Sequence, residues 1–544
     1  MDLGPVTQQS AEPATSDTAD PDRTAASSSH RVKRTARSRV PGSWPLLVIL
    51  AVQTLLSLRL VWANTAFVDE ATYLWAGHLE WASLLHGASL PPLPAYFSGA
   101  PVIYPPLGAL ADSVGGLTGA RILSLLFMLG ATTALWSVTE RLHGRRAAFF
   151  AAALLAVMGP TLHLGSFATY DAMALFLVAL AAWLVVRAGD RQDATVWMLA
   201  AGVTLAVANA TSYPTALFDP VVILLALLVA LPKPGGKLAA GRALTLLAVV
   251  ALLDTLGLLI GGSRYIHGVK VTTLTRVAGA DSVLSVLTDS WSWTGVIVVA
   301  AFCGAIASWV SRPRQPQTWL LTLMAAAALL VPAEQASLHT FASLNKHVAL
   351  GAWFAAIAAG YAVDRFVAAA PAGNRRAVTA GACVVALSFP VSLGAGQSWV
   401  FATSWPNSSA FIAILRPLAD NGTGHLLVED PTLAEYYLPA GTQWMRWSST
   451  RNIILPGGIP TGGPSEQAGV VGAGNAGTFA AKIAAGYFSL VALNFSDTAA
   501  LDKSIAADLK RNHHYQFVQI VPYGAGPAGP EIGTYKIYLY ERAS

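Results

Sequence analysis

Long apolar runs separated by short polar segments recur through the first 400 residues of the chain. A helix needs about 20 apolar residues to cross a bilayer, and most of these runs approach that length. The pattern predicts a polytopic α-helical membrane protein with about eleven transmembrane helices. The predicted spans lie near residues 44–63, 118–138, 147–162, 169–187, 195–212, 216–231, 242–261, 293–311, 318–333, 347–366 and 376–396.

The pattern changes near residue 397, where apolar runs shorten and Asn, Asp, Gly and Pro interrupt them. Several short stretches that follow have the composition of β-strands, and residues 497–512 have the spacing of an amphipathic helix. We therefore predict a small α/β domain over residues 397–544. Its predicted strands are 425–431, 486–495, 515–523 and 534–542.

Basic residues concentrate in alternate loops between the apolar runs. Loops rich in Lys and Arg stay on the cytoplasmic side of a membrane. This predicts a multi-pass plasma-membrane protein with a cytoplasmic N-terminus, an external loop 64–117 and an extracytoplasmic C-terminal domain. The basic loops are 140–146, 187–193, 232–242, 311–317 and 364–376.

The first 41 residues have no periodic apolar face and become basic near their end. They predict a disordered cytoplasmic tail, which precedes a transmembrane domain over residues 42–396. Only 12% of the residues are charged, whereas a soluble domain has about 25%. The net charge of +5 comes from short patches between apolar runs, so no nucleic-acid partner is predicted. The two cysteines, Cys303 and Cys383, lie in apolar runs and indicate no disulfide framework.

Acidic residues stand at the edges of predicted spans. Asp69 and Glu70 follow the first span directly, and Asp171 begins a later one. Acids at a membrane boundary are a functional hypothesis by default. Such carboxylates could bind a divalent cation, or one could act as a general base toward a hydroxyl group. A helix-end or topogenic role explains each acid alone equally well.

Three motifs near these acids share a resemblance. They are Asp-Glu-Ala-Thr-Tyr at 69–73, Tyr-Pro-Pro-Leu at 104–107, and the pattern Arg-Ile-Leu-Ser, Gly-Arg-Arg and Asp-Ala within 120–180. Together they resemble the GT-C glycosyltransferases that use polyprenyl-phosphate sugars, in the branch of protein mannosyltransferases and aminoarabinose transferases. The resemblance covers roughly residues 44–400 and is strongest up to 190.

The resemblance implies roles for the acids. Asp69 corresponds to the general base, with Glu70 beside it as a second catalytic candidate. Asp69 and Asp171 would hold a divalent cation, Mg²⁺ or Mn²⁺. The chain departs from the family at Ile103 and Tyr104, where one branch has an acid and a lysine, and at Ser166, where many members have arginine. These departures argue against an aminoarabinose transferase in the narrow sense.

Basic residues at the same predicted face are candidate ligands of a lipid phosphate. Lys346 and His347 begin a span, and Arg59 lies near the end of the first one. An ammonium group there is a good partner for a phosphodiester, although snorkelling toward headgroups explains such residues as well. Residues of the external loop could cap a substrate cavity. The candidates for its lining are Tyr73, His78 and Tyr104.

The sequence therefore predicts an integral-membrane glycosyltransferase. It would move a sugar from a polyprenyl-phosphate donor to a hydroxyl of a glycan or protein acceptor on the extracytoplasmic side, with inversion. Two alternatives remain: a transporter or flippase of lipid-linked sugars, and a catalytically inactive relative that binds them. A Gly-x-Gly-x-x-Gly stretch within 470–479 is read as a flexible loop rather than a dinucleotide site, because no convincing strand precedes it.

Overall fold

We describe a computed structural model of the chain. The structure describes residues 44–189, 191, 193–232, 236–276, 278–403, 405–420, 423–450, 454–455, 459–460, 476–496, 498–524 and 531–540. The predicted tail 1–41 and residues 472–475 of the Gly-rich stretch fall outside the described residues. Residues 476–479, predicted as part of a flexible loop, instead begin a helix, Ala476–Ala484.

The membrane part is helical throughout. Within the described residues, ten helical segments are long and apolar enough to cross a membrane, which confirms the predicted polytopic helical fold. The helices are α1 (Trp44–Val61), α2 (Val68–His86), α3 (Tyr104–His143), α4 (Arg145–Ala156), α5 (Gly159–Leu164), α6 (Tyr170–Ala188), α7 (Ala194–Thr211), α8 (Asp219–Ala230), α9 (Gly236–Val269), α10 (Val283–Ser311), α11 (Pro316–Ala327), α12 (Leu330–Ser337), α13 (Leu344–Ala369) and α14 (Arg375–Thr403).

Helices α4 and α5 are each too short to span a bilayer, but together they make a further crossing. Arg146 at the start of α4 donates to Asp364 near the end of α13 (Nε–Oδ1 2.5 Å). The amide of Gly159 at the start of α5 donates to Gln397 near the end of α14 (2.8 Å). Since α13 and α14 run in opposite directions, these bonds place the two short helices along the full depth of the bundle. The total agrees with the predicted number of about eleven spans.

Helix α13 is the centre of the bundle. It packs against α4, α10 and α11. Of the residues in its most apolar 18-residue stretch, 83% are buried. Its small residues allow this close approach: a Cβ on Gly360 would lie 2.4 Å from the carbonyl oxygen of Ala147 on α4. The rigid placement of α13 fixes Lys346 and His347 in its first turn.

The region after α14 forms the predicted α/β unit, and α14 itself continues to Thr403, past the predicted boundary at 397. Within the described residues it holds a seven-stranded sheet of order β4-β3-β2-β1-β5-β7-β6. Strand β1 is parallel to β2 and β5, whereas β7 is antiparallel to β5 and β6. The predicted strands are confirmed. The elements are α15 (Ser409–Asp420), β1 (His425–Val428), α16 (Thr432–Tyr437), β2 (Trp447–Ser449), β3 (Ile454–Leu455), β4 (Ile459–Pro460), α17 (Ala476–Ala484), β5 (Phe488–Leu493), α18 (Ala499–Arg511), β6 (Tyr515–Gly524) and β7 (Glu531–Tyr540).

The loop between α1 and α3 lies between the bundle and the α/β unit. Helix α2 packs against α3 on one side and α16 on the other, so it is covered by protein rather than lying free in the membrane interface. Helix α3 begins at Tyr104, with prolines in its first turn, and kinks at Gly116, whose φ is 60°. A positive φ favours glycine because it has no Cβ. The kink separates the first turns of α3 from the part of the helix that continues through the bundle.

Candidate active site at the face where helices α2, α6 and α13 begin

The first turn of α2 is held by a buried ion pair. Glu70 is 0% exposed, and both of its oxygens bond to Arg121 of α3, at 2.8 Å (Oε1–Nε) and 2.7 Å (Oε2–Nη2). The amides of Phe67 and Ala168 also donate to this carboxylate, at 2.9 and 2.7 Å. The guanidinium further donates to the carbonyls of Val61, Asn64 and Thr65.

This arrangement leaves Glu70 without access to a substrate, whereas the resemblance implied a catalytic role for it. Its hydrogen-bonding capacity is filled by protein groups, and it has no exposed surface from which to reach a substrate. Glu70 and Arg121 join the end of α1, the start of α2 and the segment before α6. They therefore position the neighbouring residue, Asp69.

Asp69 faces a second group of charges. The ammonium of Lys346 donates to Asp69 Oδ2 at 2.7 Å and lies 3.2 Å from Asp171 Oδ2. His347 Nε2 lies 3.4 Å from the other oxygen of Asp171. The side chain of Asp69 is 32% exposed, whereas those of Lys346 and Asp171 are 5% exposed. The structure thus brings four of the predicted site residues together, with Asp69 as the solvent-facing member.

Three helices bring this charge group to one point. Asp69, Asp171 and Lys346 lie in the first turns of α2, α6 and α13, respectively. Helix N-termini carry partial positive charge from unpaired N–H groups, which favours carboxylates in the first turn and attracts anions. The site therefore combines a basic side chain with three helix N-termini.

The aromatic residues predicted to line a substrate cavity lie in a closed cluster beside the charge group. The rings of Tyr73 and Tyr170 are 4.6 Å apart and those of Tyr73 and Tyr104 are 6.4 Å apart. Tyr73 is 6% exposed and Tyr104 is 0% exposed. Burial, with a smaller effect of Tyr170, raises the pKa of Tyr73 well above its ordinary value. These side chains pack around Asp69 and Asp171 rather than lining open space.

His78, the third residue predicted for the cavity, instead links the membrane part to the α/β unit. His78 Nε2 bonds to Asp112 Oδ2 at 2.7 Å, and Tyr436 of α16 donates to the other oxygen of Asp112 at 2.8 Å. Close by, Trp75 donates to the carbonyl of Gly441 at 2.9 Å. The helix that carries Asp69 is therefore bonded to the α/β unit.

Arg59 is the predicted phosphate ligand that the structure places apart from the charge group. It is exposed on α1, with its guanidinium carbon 5.8 Å from the centre of the Trp399 ring on α14. That position is on the outer surface of the bundle, where a long basic side chain can reach headgroups.

A cavity of about 490 Å³ opens beside the charge group. His347 forms part of its wall, and helix α7, the turn at 213–217 and helix α9 supply most of the rest, with Glu334 and Gln335 from α12. The apolar side chains of Leu217, Leu253 and Leu258 line it together with polar groups. Its volume is within the range of sites for small molecules, about 300–1,000 Å³.

The predicted metal ligands do not fit a divalent cation as they stand. Asp69 and Asp171 share the ammonium of Lys346, which occupies the position between their oxygens. A divalent cation needs several oxygens at about 2.0–2.6 Å, and binding there would require displacing that ammonium. Within the described residues, no group of three or more His, Cys, Asp or Glu side chains has a metal-binding arrangement.

Two positioning residues were not predicted from the sequence. Arg121 lies inside an apolar helix, and a charged residue in such a helix is itself a signal of a buried partner. Tyr170, directly before Asp171, packs against Tyr73 with its ring tilted by 33°. Ser166, where the family often has arginine, donates to the carbonyls of Ser57 and Leu162.

Comparisons with known proteins agree with this architecture. Residues 109–259 match the family model described as dolichyl-phosphate-mannose-protein mannosyltransferase. No match was found among curated protein sequences. The fold is similar to that of ArnT from Cupriavidus metallidurans, solved with bound undecaprenyl phosphate: the TM-score is 0.60 and the identity 13%, covering 91% of this chain and 98% of that one.

Two further solved structures share the fold. The archaeal oligosaccharyltransferase AglB from Archaeoglobus fulgidus, in complex with an inhibitory peptide and a dolichol-phosphate, gives a TM-score of 0.53 at 14% identity, covering 92% of this chain and 74% of that one. The mycobacterial arabinofuranosyltransferase AftD gives 0.51 at 14% identity, covering 92% of this chain and 42% of that one. The resemblance inferred from the motifs is thus confirmed, and the chain has the fold of the GT-C membrane glycosyltransferases of the protein mannosyltransferase and ArnT-like type.

Proposed function

We propose that the chain transfers a sugar from a polyprenyl-phosphate donor to the hydroxyl group of an acceptor, at the membrane face where α2, α6 and α13 begin. The observation that carries this proposal is the group of Asp69, Lys346 and Asp171 beside an open cavity. It joins a partly exposed carboxylate to a buried cation, and such a pair suits a reaction with a phosphate leaving group.

Asp69 is the general base in this proposal. Its neighbour Glu70 is 0% exposed and fully bonded, whereas the side chain of Asp69 is 32% exposed. Only Asp69 can therefore contact an acceptor hydroxyl. As the acceptor oxygen forms its bond to the anomeric carbon, the hydroxyl proton passes to Asp69.

Lys346 supports the departure of the phosphate. The bond between the anomeric carbon and the phosphate oxygen breaks, and its electron pair leaves with the polyprenyl phosphate. An ammonium next to the base can pair with that anion, and Asp171 holds it at 3.2 Å. Attack by the acceptor opposite the leaving group inverts the anomeric centre. Asp69 then returns its proton to the solvent.

The basic loops favour an extracytoplasmic site. The loops at the opposite end of the bundle are those rich in Lys and Arg, so they would be cytoplasmic. The acceptor, a glycan or a protein, would then approach from the outside, on the side of the α/β unit. The lipid phosphates in the ArnT and AglB structures support the choice of donor class.

Transfer by the purified chain tests the proposal. A polyprenyl-phosphate hexose with a radiolabelled sugar would be incubated with the chain and an envelope glycan acceptor, and the labelled product and released polyprenyl phosphate would be measured. Asp69→Asn should lower the rate by about 10²-fold or more, the usual scale for losing a general base.

The matched control is Asp193→Asn, which removes an exposed carboxylate in the loop between α6 and α7. It should leave transfer unchanged. Donor binding by Asp69→Asn should be largely retained, because the phosphate is paired elsewhere. Transfer by Asp69→Asn at the wild-type rate would overturn the mechanism. Binding of donor with no transfer to any acceptor, even in the wild type, would favour the inactive relative, and movement of intact donor across a bilayer would favour the flippase.

A further inference from the structure

Three polar residues from three helices meet inside the membrane part. The side-chain amide of Asn209 on α7 donates to Asp219 on α8 at 2.8 Å and to Asp254 on α9 at 3.0 Å. The hydroxyl of Thr215 donates to the amide oxygen of Asn209 at 2.9 Å. Asn209 is 6% exposed. The orientation of the Asn209 side chain is fixed, because its amide nitrogen donates to both aspartates and its amide oxygen accepts from Thr215.

This group lies at the same face as the charge group of Asp69, Lys346 and Asp171. Helix α6 begins at that face, so α7 returns to it, and Asn209 lies near the end of α7. Asp219 is the first residue of α8. Asp254 lies about 27 Å along α9 from its opposite end, taking 1.5 Å per residue. The polar group is therefore at the level of the reaction centre.

Polar groups at membrane depth are costly and usually functional. Two buried oxygens on the cavity wall have no hydrogen-bond partner within the described residues: Oε1 of Gln335 and the hydroxyl oxygen of Tyr213. Oδ1 of Asp219, whose other oxygen accepts from Asn209, has none either. Gln335, on α12, is 1% exposed. An unsatisfied buried acceptor carries a free-energy cost, which a ligand that donates hydrogen bonds would remove.

Asn209, Asp254 and Gln335 line the cavity of about 490 Å³ that also borders His347. Tyr213 lines it as well, with its ring edge-on to that of Tyr265 at 6.1 Å. Carboxylate and amide acceptors beside aromatic rings provide hydrogen bonds to hydroxyl groups and apolar surface for a sugar ring. This lining thus lies on the same cavity wall as His347, which contacts Asp171 in the charge group.

We infer that Asp254 and Gln335, with Asn209 as a positioning residue, bind the hydroxyl groups of the donor's sugar and set its specificity. This inference rests on the proposed function. Because Gln335 offers an unpaired acceptor and Asp254 a carboxylate, the matching sugar carries hydrogen-bond donors, as a polyhydroxylated sugar does. The isoprenoid chain leaves along the apolar part of the cavity.

The test compares binding of two lipids to the purified chain in nanodiscs: polyprenyl phosphate alone, and polyprenyl-phosphate glucose. Asp254→Leu should weaken binding of the glucose donor by at least about tenfold, the scale of one hydrogen bond lost. It should change binding of sugar-free polyprenyl phosphate by less than about twofold. Gln335→Leu, on a different helix, should act in the same direction.

Thr245→Val is the control. It removes a hydroxyl on the same helix as Asp254, bonded to the carbonyl of Gly241 and away from the cavity, and should leave both affinities unchanged. Equal loss of both lipids in Asp254→Leu and in Gln335→Leu, or no loss in either, would overturn the inference while leaving the proposed function intact. Failure of the wild type to bind either lipid would overturn both.

Discussion

Replacing Arg121 should destabilise the chain more than any change at its surface. The guanidinium is 1% exposed and makes five hydrogen bonds, two to Glu70 and three to the carbonyls of Val61, Asn64 and Thr65. Arg121→Ala removes all of them and leaves the Glu70 carboxylate buried without a counter-charge. Breaking such a pair costs about 3–5 kcal/mol.

Arg121→Lys separates charge from geometry. Lysine keeps the positive charge but cannot bond both carboxylate oxygens in parallel while reaching the carbonyls. The expected loss is about 1.5–3 kcal/mol, the scale of a hydrogen bond to a charged group. Glu70→Met combined with Arg121→Met should cost less than the sum of the single changes, because the double variant leaves no buried charge unpaired.

Chemical denaturation of the detergent-solubilised protein measures these differences. Arg146→Met is the control, because its ion pair with Asp364 lies at the opposite end of the bundle and the arginine side chain is 40% exposed. It should cost about 0–1 kcal/mol. A loss below about 1 kcal/mol in Arg121→Ala would refute the assignment of a buried, uncompensated charge.

Other expectations follow from the charge group and from the α/β unit. Lys346→Met should abolish transfer and weaken donor binding, whereas Lys346→Arg should restore part of both, as measured by donor titration and product release. Full chelation should leave the transfer rate within about twofold of normal, because an ammonium already lies between Asp69 and Asp171; loss of activity that Mg²⁺ or Mn²⁺ restores would contradict this. Burial, with a smaller effect of Asp430, raises the pKa of Glu435 to about 8 from 4.5. The folded state then holds this proton to a higher pH than the unfolded state, so stability should fall as the pH rises from 4.5 to 8, by at most about 1.4 kcal/mol per unit. Glu435→Gln should flatten that slope in melting curves between pH 5 and 8.5, and an unchanged slope would show that Glu435 titrates normally.

The periodic features of the fold were predictable from the sequence because they depend on local composition. Runs of apolar residues and short β-branched stretches specify spans and strands wherever they occur. The sequence predicts a single span where the structure has α4 and α5. The two residues between these helices, Val157 and Met158, are apolar, so the hydropathy pattern does not show that the helix is interrupted there. Helix α14 continues to Thr403, beyond the predicted boundary near 397, because the change in composition there does not end the helix.

The sequence allows the candidate residues to be singled out one by one, but it does not show which of them are in contact. Asp69, Asp171 and Lys346 each stand at a span boundary, where a charge is noticeable in the sequence. Glu70 is buried and Asp69 is partly exposed because Glu70 pairs with Arg121, which is 51 residues further along the chain than Glu70. No local pattern specifies that contact. The predicted metal site depends on a non-local contact in the same way. The sequence shows Asp69 and Asp171, but only the position of α13 in the fold shows that Lys346 lies between them.

The bonds between α2 and the α/β unit have a practical consequence. Tyr437 accepts a hydrogen bond from the amide of Ala66 at 2.7 Å, directly before the helix that carries Asp69. Trp75, further along that helix, is bonded to Gly441. A chain truncated after α14 would lose these partners and expose the outer side of α2. The membrane part alone therefore lacks contacts that hold α2 in place, and a ligand that displaces the α/β unit should also disturb the helix that carries Asp69.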